Sequence, residues 1–456
     1  MAADLRITEV VDFNPPRPIK RGTLAPFVDM AALPEHQRDI AYVSEREFTG
    51  GGSRFQNGDT LFARITPCLE NGKTAKVNAL PAGSIAHGST EFIVMAAKAP
   101  EYDEDYVYYL ARHPDFRAFA KARMEGTSGR QRVSWQALSD FSFSFPPPDQ
   151  RKIIGSILRK IDDKVDLNRR INHTLEAMAQ AIFKSWFIDF DPVKAKISAI
   201  EQGQDPLRAA MRTISGKTDT ELDQMPREHH DQLAAAAALF PDEMEESELG
   251  EIPKGWACGV LGDICSFTAG SAFKPEHQGS TKGDYPFIKV SDMNLAGNEV
   301  FIKSANNYVS KAQQSEMRAK LHPLGATVFA KIGVALISNR RRLLTTPTII
   351  DNNLMSASPA EGKSGAYFLY SMLSTIDFNT LVSGTALPYL NVSDLKKIPI
   401  VRPPHDIGGA FELKAASIFS MMKTLAEQSS TLADTRDNLL PKLLSGEIEL
   451  SETLEG

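Results

Sequence analysis

Cysteine is scarce in this chain: three in 456 residues (Cys68, Cys258 and Cys265), and Cys258 and Cys265 lack the spacing of a metal-ligand pair. So few thiols cannot supply a disulfide framework, and a reducing cytoplasm is the expected compartment. Long apolar runs are missing as well. The longest, Leu233–Phe240, is an alanine-rich octamer, far short of the roughly 20 residues that cross a bilayer. Met1–Val10 lacks the charged-then-apolar pattern of a secretory leader, so no membrane contact is expected. Nor is there an excess of positive charge, since 51 basic residues face 57 acidic ones for a net −6.

Taken whole, that charge argues against a nucleic-acid partner, but it is unevenly spread. Residues 1–148 carry 17 basic and 18 acidic side chains, 149–200 carry 10 and 7, and 201–250 carry 4 and 12. Residues 251–404 carry 16 and 11, and 405–456 carry 4 and 9. Phosphates respond to the field within a Debye length of about 8 Å, so the local surplus matters more than the total.

Catalytic motifs are also lacking. Asn14-Pro15-Pro16-Arg17 puts arginine where an adenine methyltransferase needs an aromatic face to stack a flipped base. Asn71-Gly72-Lys73-Thr74 resembles the end of a phosphate-binding loop, but Pro67 occupies the position of its first glycine. The acids around Pro241-Asp242 have no lysine at nuclease spacing. His229-His230 is a neighbouring pair, and both rings cannot face one metal from a helix. No catalytic residue and no metal site are expected.

What the chain does have is an internal repeat. Gly58-Asp59-Thr60-Leu61-Phe62-Ala63-Arg64-Ile65 is echoed by Gly325-Ala326-Thr327-Val328-Phe329-Ala330-Lys331-Ile332. Each copy continues to a Gly-Thr pair (Gly126-Thr127, Gly384-Thr385), a similar tail (Trp135–Phe143, Val392–Ile400) and a proline block (Pro146–Pro148, Pro403-Pro404). A long helical pattern follows each block. The β-branched runs entered from glycine and the Phe/Ser alternation of Phe141–Phe145 predict strands. Apolar residues spaced three and four apart predict helices at Asp105–Arg112 and Ala366–Leu373. The expected fold class is α+β or mixed α/β, with two similar globular domains of about 150 residues.

The helical segments carry a 4-3 apolar repeat. In the first, Ile154, Leu158, Ile161, Val165, Asn168, Asn172, Leu175, Ala179, Ile182 and Trp186 follow it. In the second, Phe411, Ala415, Ile418, Met422, Leu425, Ser429, Leu432, Arg436, Leu439 and Leu443 do so. A sustained 3.5-residue period asks for a coiled-coil partner. Antiparallel pairing of the two segments brings their polar positions, Asn168/Asn172 and Ser429/Arg436, roughly level. The alternative is two separate helices, each docked on its own domain. The predicted organisation is therefore 1–148 globular, 149–200 helical, 201–250 an acidic linker or insertion with weak structure and one helix at Glu228–Leu239, 251–404 globular, and 405–456 helical.

Four stretches carry a family resemblance. Leu175–Pro192, containing Phe183-Lys184-Ser185-Trp186-Phe187, resembles the central region of Type I restriction–modification specificity subunits. Asp437–Gly446 resembles their C-terminal region, Ser247–Trp256 the entry to a second recognition domain, and Gly58–Lys73 a motif inside many first ones. The resemblance implies two target-recognition domains, each reading half of a bipartite, asymmetric site in double-stranded DNA. It implies an antiparallel helix pair that sets the unread spacer, with about 35 residues giving roughly 50 Å. It further implies no catalysis and no cofactor in this chain. Two methyltransferase subunits and restriction/translocase subunits would bring adenine methylation and cleavage, with S-adenosylmethionine, ATP and Mg. Phe183, Trp186, Phe187, Ile188 and Phe190 are the expected docking residues.

DNA contact needs Lys or Arg for phosphates, and bidentate Arg, Asn or Gln for bases. Arg340-Arg341-Arg342, read as a loop between the strand-like runs Val334–Ser338 and Leu343–Ile350, is the leading candidate. Lys274, Lys282, Lys289 and Lys331 are further candidates in that domain. In the first domain the candidates are Arg54, Gln56, Arg64, Lys73, Arg130 and Arg132.

Overall fold

The structure is a computed structural model that describes residues 3–127, 129–383 and 388–448. Gly384-Thr385, the second Gly-Thr pair, lies outside the described residues. The chain divides into two compact units, Met1–Arg169 with Glu427–Gly456, and Arg170–Ala426. Both divisions fall inside long helices, not at the proline blocks that the sequence suggested as boundaries.

In the first unit, a four-stranded sheet has the order Val11–Phe13, Phe92–Ala97, Thr60–Ala63, Thr74–Lys76. A second sheet runs Ser44–Glu47, Leu24–Val28, Ala86–Gly88, Ser53–Phe55, with the middle two strands parallel. Ala3–Arg6 pairs with Ser142–Phe145. The helix Pro100–Arg112 buries Tyr106, Val107, Tyr109 and Leu110 in a core shared with Phe62, Phe116, Phe141, Ile154 and Leu158. Thr60–Ala63 is buried at every position, which is why its sequence shows no alternation.

The second unit repeats this plan. Cys265–Ala269, Leu354–Pro359, Thr327–Ala330 and Arg341–Leu344 lie in the order of their counterparts, with Phe301–Ile302 added at the edge. Tyr285–Ile288 runs parallel to Ile349–Ile350, as Leu24–Val28 does to Ala86–Gly88. Ala257–Val260 pairs with Pro399–Arg402, and Ala366–Thr375 is the matching helix. Gly58 and Gly325 enter the repeated strands at φ 92° and 81°. A side chain is strained in that backbone region, so glycine recurs at both places.

The expected weak linker is folded. Pro206–Ser215, Asp219–Asp223 and Arg227–Ala238 are helices, and Ala210, Met211, Leu222 and Phe240 join the core of the second unit. Averaged composition concealed one-sided helices, because Ala209, Ala210, Met211 and Ile214 share a buried face. Part of the acidity is locally neutralised: Arg208 reaches Asp219 at 2.6 Å and Asp223 at 2.7 Å, and Arg212 reaches Asp219 at 2.8 Å.

Pro148–Phe187 and His405–Leu444 are each helices of 40 residues, and they pair antiparallel within each unit. In the first unit, Asp162 binds Arg436, and Asn168 Nδ2 donates to Gln428 Oε1 at 2.8 Å. In the second, Asn172 Nδ2 donates to the Met422 carbonyl at 3.1 Å. The partner number falls as the residue number rises, so the antiparallel reading replaces the alternative of separate helices. The Tyr109 phenol donates to Asp162 at 2.7 Å, tying the helix Pro100–Arg112 to this layer. No helix among the described residues is long and apolar enough to cross a membrane.

Candidate nucleic-acid interface

In each unit the repeated strand leads into a loop, and that loop pairs with a second loop from further along the chain. In the first unit, Val133 N–H donates to the Arg64 carbonyl at 2.9 Å and Thr66 N–H to the Gln131 carbonyl at 3.0 Å. In the second, Leu390 N–H donates to the Lys331 carbonyl at 2.9 Å and Gly333 N–H to the Pro388 carbonyl at 2.8 Å. Ile65 and Glu125 both bridge Arg132, as Ile332 and Ser383 both bridge Tyr389. Each unit thus carries a two-loop lip of the same backbone construction. Arg64 corresponds to Lys331, and Arg132 to Tyr389.

The first lip is cationic and polar. It brings together exposed Arg130 with half-buried Arg64 and Gln131. Arg64 Nε is buried without a hydrogen-bond partner, so this guanidinium has donor capacity left over. Arg132 is already engaged, with Nε and Nη2 on the Glu91 carboxylate at 2.7 to 2.9 Å. Lys73 is half-buried and donates to the Met30 carbonyl at 3.0 Å. Arg54 and Gln56 are exposed at the strand Ser53–Phe55 of the other sheet, where Arg54 also donates to the Arg17 carbonyl at 3.2 Å.

The arginine triplet of the second unit is not a loop. Arg341 and Arg342 open the strand Arg341–Leu344. Strand alternation turns Arg341 inward with Leu343, leaving it 5% exposed. Its guanidinium lies 4.0 Å over the Phe378 ring and donates to the Asn339 and Ile376 carbonyls. Burial pulls its pKa down to about 10. Arg342 is half-buried and donates to the Met293 carbonyl at 3.3 Å and the Arg341 carbonyl at 2.8 Å. Only Arg340 of the three is exposed. Lys331 lies on the lip. Lys274, Lys282 and Lys289 belong to neither of its two paired loops; Lys274 is 3.7 Å from Glu276, Lys282 is exposed, and Lys289 pairs with Gln278.

The aromatic docking residues also need correction. Phe183, Trp186, Phe187 and Phe190 are buried in the core of the second unit. Phe183 stacks edgewise on Phe368 at 5.2 Å, Trp186 on Phe240 at 5.1 Å, Phe187 on Phe368 at 5.0 Å and Phe190 on Trp256 at 5.5 Å. The partners Phe240, Trp256 and Phe368 arrive from distant segments, which the seam pattern could not show. Ile188 alone remains exposed. It lines a cleft of about 340 Å³ with Leu249, Ile376, Ile398 and Val401. The helix pair exposes other apolar side chains in this unit: Met178, Leu413 and Met421.

Sequence reasoning missed Gln131, Tyr389, Val334 and Ile337. Val334–Ser338 was expected to be a strand; Val334–Ile337 is one helical turn with Val334 and Ile337 outward. A four-residue apolar run carries too few positions for its period to separate helix from strand. For Val334 and Ile337 the signal is the repeat itself; Gln131 and Tyr389 join the lips only through backbone pairing between distant loops. Counting residue for residue from Gly58 and Gly325 places Val334 at Pro67, Leu336 at Leu69, Asn339 at Gly72 and Arg340 at Lys73.

A family model for the Type I restriction modification DNA specificity domain matches residues 29–177 and 253–439. The specificity subunit of the Type I restriction enzyme HindI from Haemophilus influenzae is 32% identical over 411 residues, covering 86% of this chain and 87% of its own. The MjaIX specificity subunit of Methanocaldococcus jannaschii is 25% identical over 350 residues, covering 76% and 70%. Among solved structures, the Type I S subunit from M. genitalium superposes with a TM-score of 0.50 at 12% identity, over 99% of this chain and 97% of that one. At that identity the likeness bears on the fold.

Proposed function

The chain belongs to the DNA specificity family of Type I restriction–modification systems, and on that premise we propose that each unit's lip reads one half of a bipartite DNA site. The repeated lip carries this reading. One backbone device occurs twice, so two half-sites can be engaged in the same manner, while different side chains make the halves asymmetric. Arg64, Arg130, Lys331 and Arg340 meet phosphates or guanine edges, and Gln131 is suited to adenine. Arg54, Gln56, Lys73, Arg132, Lys274, Lys282, Lys289, Arg341 and Arg342 are either held by protein groups or lie off the lip, and serve as background field or structure.

As a specificity subunit, the chain is not the catalytic component. Two methyltransferase subunits dock on the helix pair and supply S-adenosylmethionine chemistry on adenine. Restriction/translocase subunits add ATP- and Mg-dependent cleavage. The docking surface uses the exposed Ile188, Met178, Leu413 and Met421 in place of the buried aromatics, and the complex works in the cytoplasm. The test is selection from a random duplex pool by the full chain with its cognate methyltransferase subunits. A split motif with a fixed unread spacer supports the proposal. Enrichment of a single uninterrupted motif, or of none, contradicts it.

A further inference from the structure

The second lip ends in a feature that the first lacks. After Lys331, Ile332 and Gly333 the chain makes the single turn Val334–Ile337. Leu336 anchors it at 1% exposure, while Val334 and Ile337 are 81% and 55% exposed. Three residues apart, these two share one face of the turn. Val334 is the most exposed large apolar side chain among the described residues.

The turn is braced. Asn339 closes it at φ 54°, with its N–H on the Leu336 carbonyl at 2.9 Å. Phe378 N–H donates to Asn339 Oδ1 at 3.1 Å, and Asn379 Nδ2 donates to the Ile337 carbonyl at 3.3 Å. Two branched aliphatic chains are therefore presented to solvent by a turn fixed at both ends. Their exposed apolar area stays hydrated unless a partner covers it.

The first unit shows what position this is. Leu69 is its anchor, with N–H on the Ile65 carbonyl at 2.9 Å, and Gly72 closes it at φ 90°. Pro67 and Glu70 stand where Val334 and Ile337 stand, and both are exposed. Gly72 and Asn339 close the two turns alike, each with its N–H on the carbonyl of the anchoring leucine, at 3.1 and 2.9 Å; the tip residues differ in chemistry. The second tip is flanked by Lys331 and Arg340, cations suited to the phosphates on either side of a groove, and its counterpart stands on a lip with Arg64 and Arg130. That charge setting favours DNA over an apolar protein partner. Within a DNA groove, the group that an aliphatic side chain covers favourably is the 5-methyl of thymine.

We propose that Val334 and Ile337 read thymine methyl groups in the major groove of the half-site bound by the second unit. This rests on the reading of the lips as DNA readers and goes beyond it by naming the base and the atom recognised.

The test uses the full chain with its cognate methyltransferase subunits and duplexes carrying the selected site. Thymines in both half-sites are replaced one at a time by deoxyuridine, which lacks only the methyl. Binding is expected to weaken about fourfold for each methyl that the turn covers. V334S/I337S should weaken binding to the thymine duplex by a similar factor and abolish the response to uracil in that half-site alone. V334A/I337A, a milder change, should give a partial effect in the same direction. Far-UV circular dichroism of both variants should match the parent, since the replaced side chains are exposed.

The proposal is overturned if the selected half-sites contain no thymine, or if the serine variant binds and responds to uracil as the parent does. It is equally overturned if the variant binds more weakly with its uracil response intact, or if it loses methyltransferase subunits instead of DNA affinity. Failure of the parent chain to select any motif would instead strike the reading of the lips themselves.

Discussion

Replacing Trp186 with alanine should destabilise the second unit, where a docking role would loosen only an interface. The indole is 2% exposed, with ring centroids of Phe240 at 5.1 Å, Phe187 at 6.0 Å and Phe411 at 6.1 Å. Burying some 200–250 Å² at about 25 cal/mol per Å² gives roughly 5–6 kcal/mol as an upper bound. Measured Trp→Ala costs of about 3–5 kcal/mol fall just below it. Domains are stable by only about 5–15 kcal/mol, so the variant would be left close to its unfolding threshold. The assay is urea unfolding of the full chain in a Trp135→Phe background, followed by far-UV circular dichroism and by the fluorescence of the second unit, where Trp256 packs on Phe187 and Phe190. With a slope of about 1–3 kcal/mol per M, the second unit's transition should move down by at least 1 M. Ile188→Ser, at an exposed position, should shift it little. If Trp186→Ala unfolded like the parent but failed to capture methyltransferase subunits, the ring would face a partner and the burial argument would fall.

Asp162→Ala removes one of the two carboxylates on buried Arg436 and leaves it only Asp437 at 2.7 Å, so it should cost about 3 kcal/mol, the low end for a broken buried pair. Part of that loss should be absent from the further step to Asp162→Ala/Arg436→Ala; strictly additive losses in urea would mean that the pair is not coupled. Arg340→Ala should lower the slope of log affinity against log salt by about 1 without changing stability, whereas Arg341→Ala should destabilise the fold; equal salt slopes for parent and Arg340→Ala would remove that residue from the interface. His322 is buried beside the Ser356 hydroxyl at 2.7 Å, and burial pushes its pKa down to about 4. Because the unfolded imidazole takes up its proton first, stability should be full above pH 6.5 and fall by roughly 3 kcal/mol towards pH 4. His322→Gln should flatten that slope, and an unchanged pH profile in the variant would assign it to other groups.

The fold was legible wherever periodicity ran long. The 4-3 seams revealed both 40-residue helices, and Asn168, Asn172 and Arg436 do occupy their interface. The repeat at Gly58 and Gly325 revealed the two similar domains, because a left-handed glycine and a fully buried strand leave a strong mark. Reading failed where neighbours distant in sequence decide the outcome. Trp186 carries the same seam signal, and Phe183 stands beside the seam in the same way, whether a partner or Phe240 and Phe368 cover them. Arg341 looks like a loop cation until strand alternation turns it inward beneath Phe378. The helices of 201–250 were hidden by acids that Arg208 and Arg212 pair with. The lips are built from two loops each, and Arg64 gives no local hint that Val133 binds its carbonyl.

The most direct test of the central claim is methylome sequencing of a host carrying this chain with its cognate methyltransferase subunit, against a host carrying that subunit alone. Methylated adenines at a split motif only when the chain is present is the predicted result. The same motif persisting without the chain would place specificity elsewhere and contradict the account.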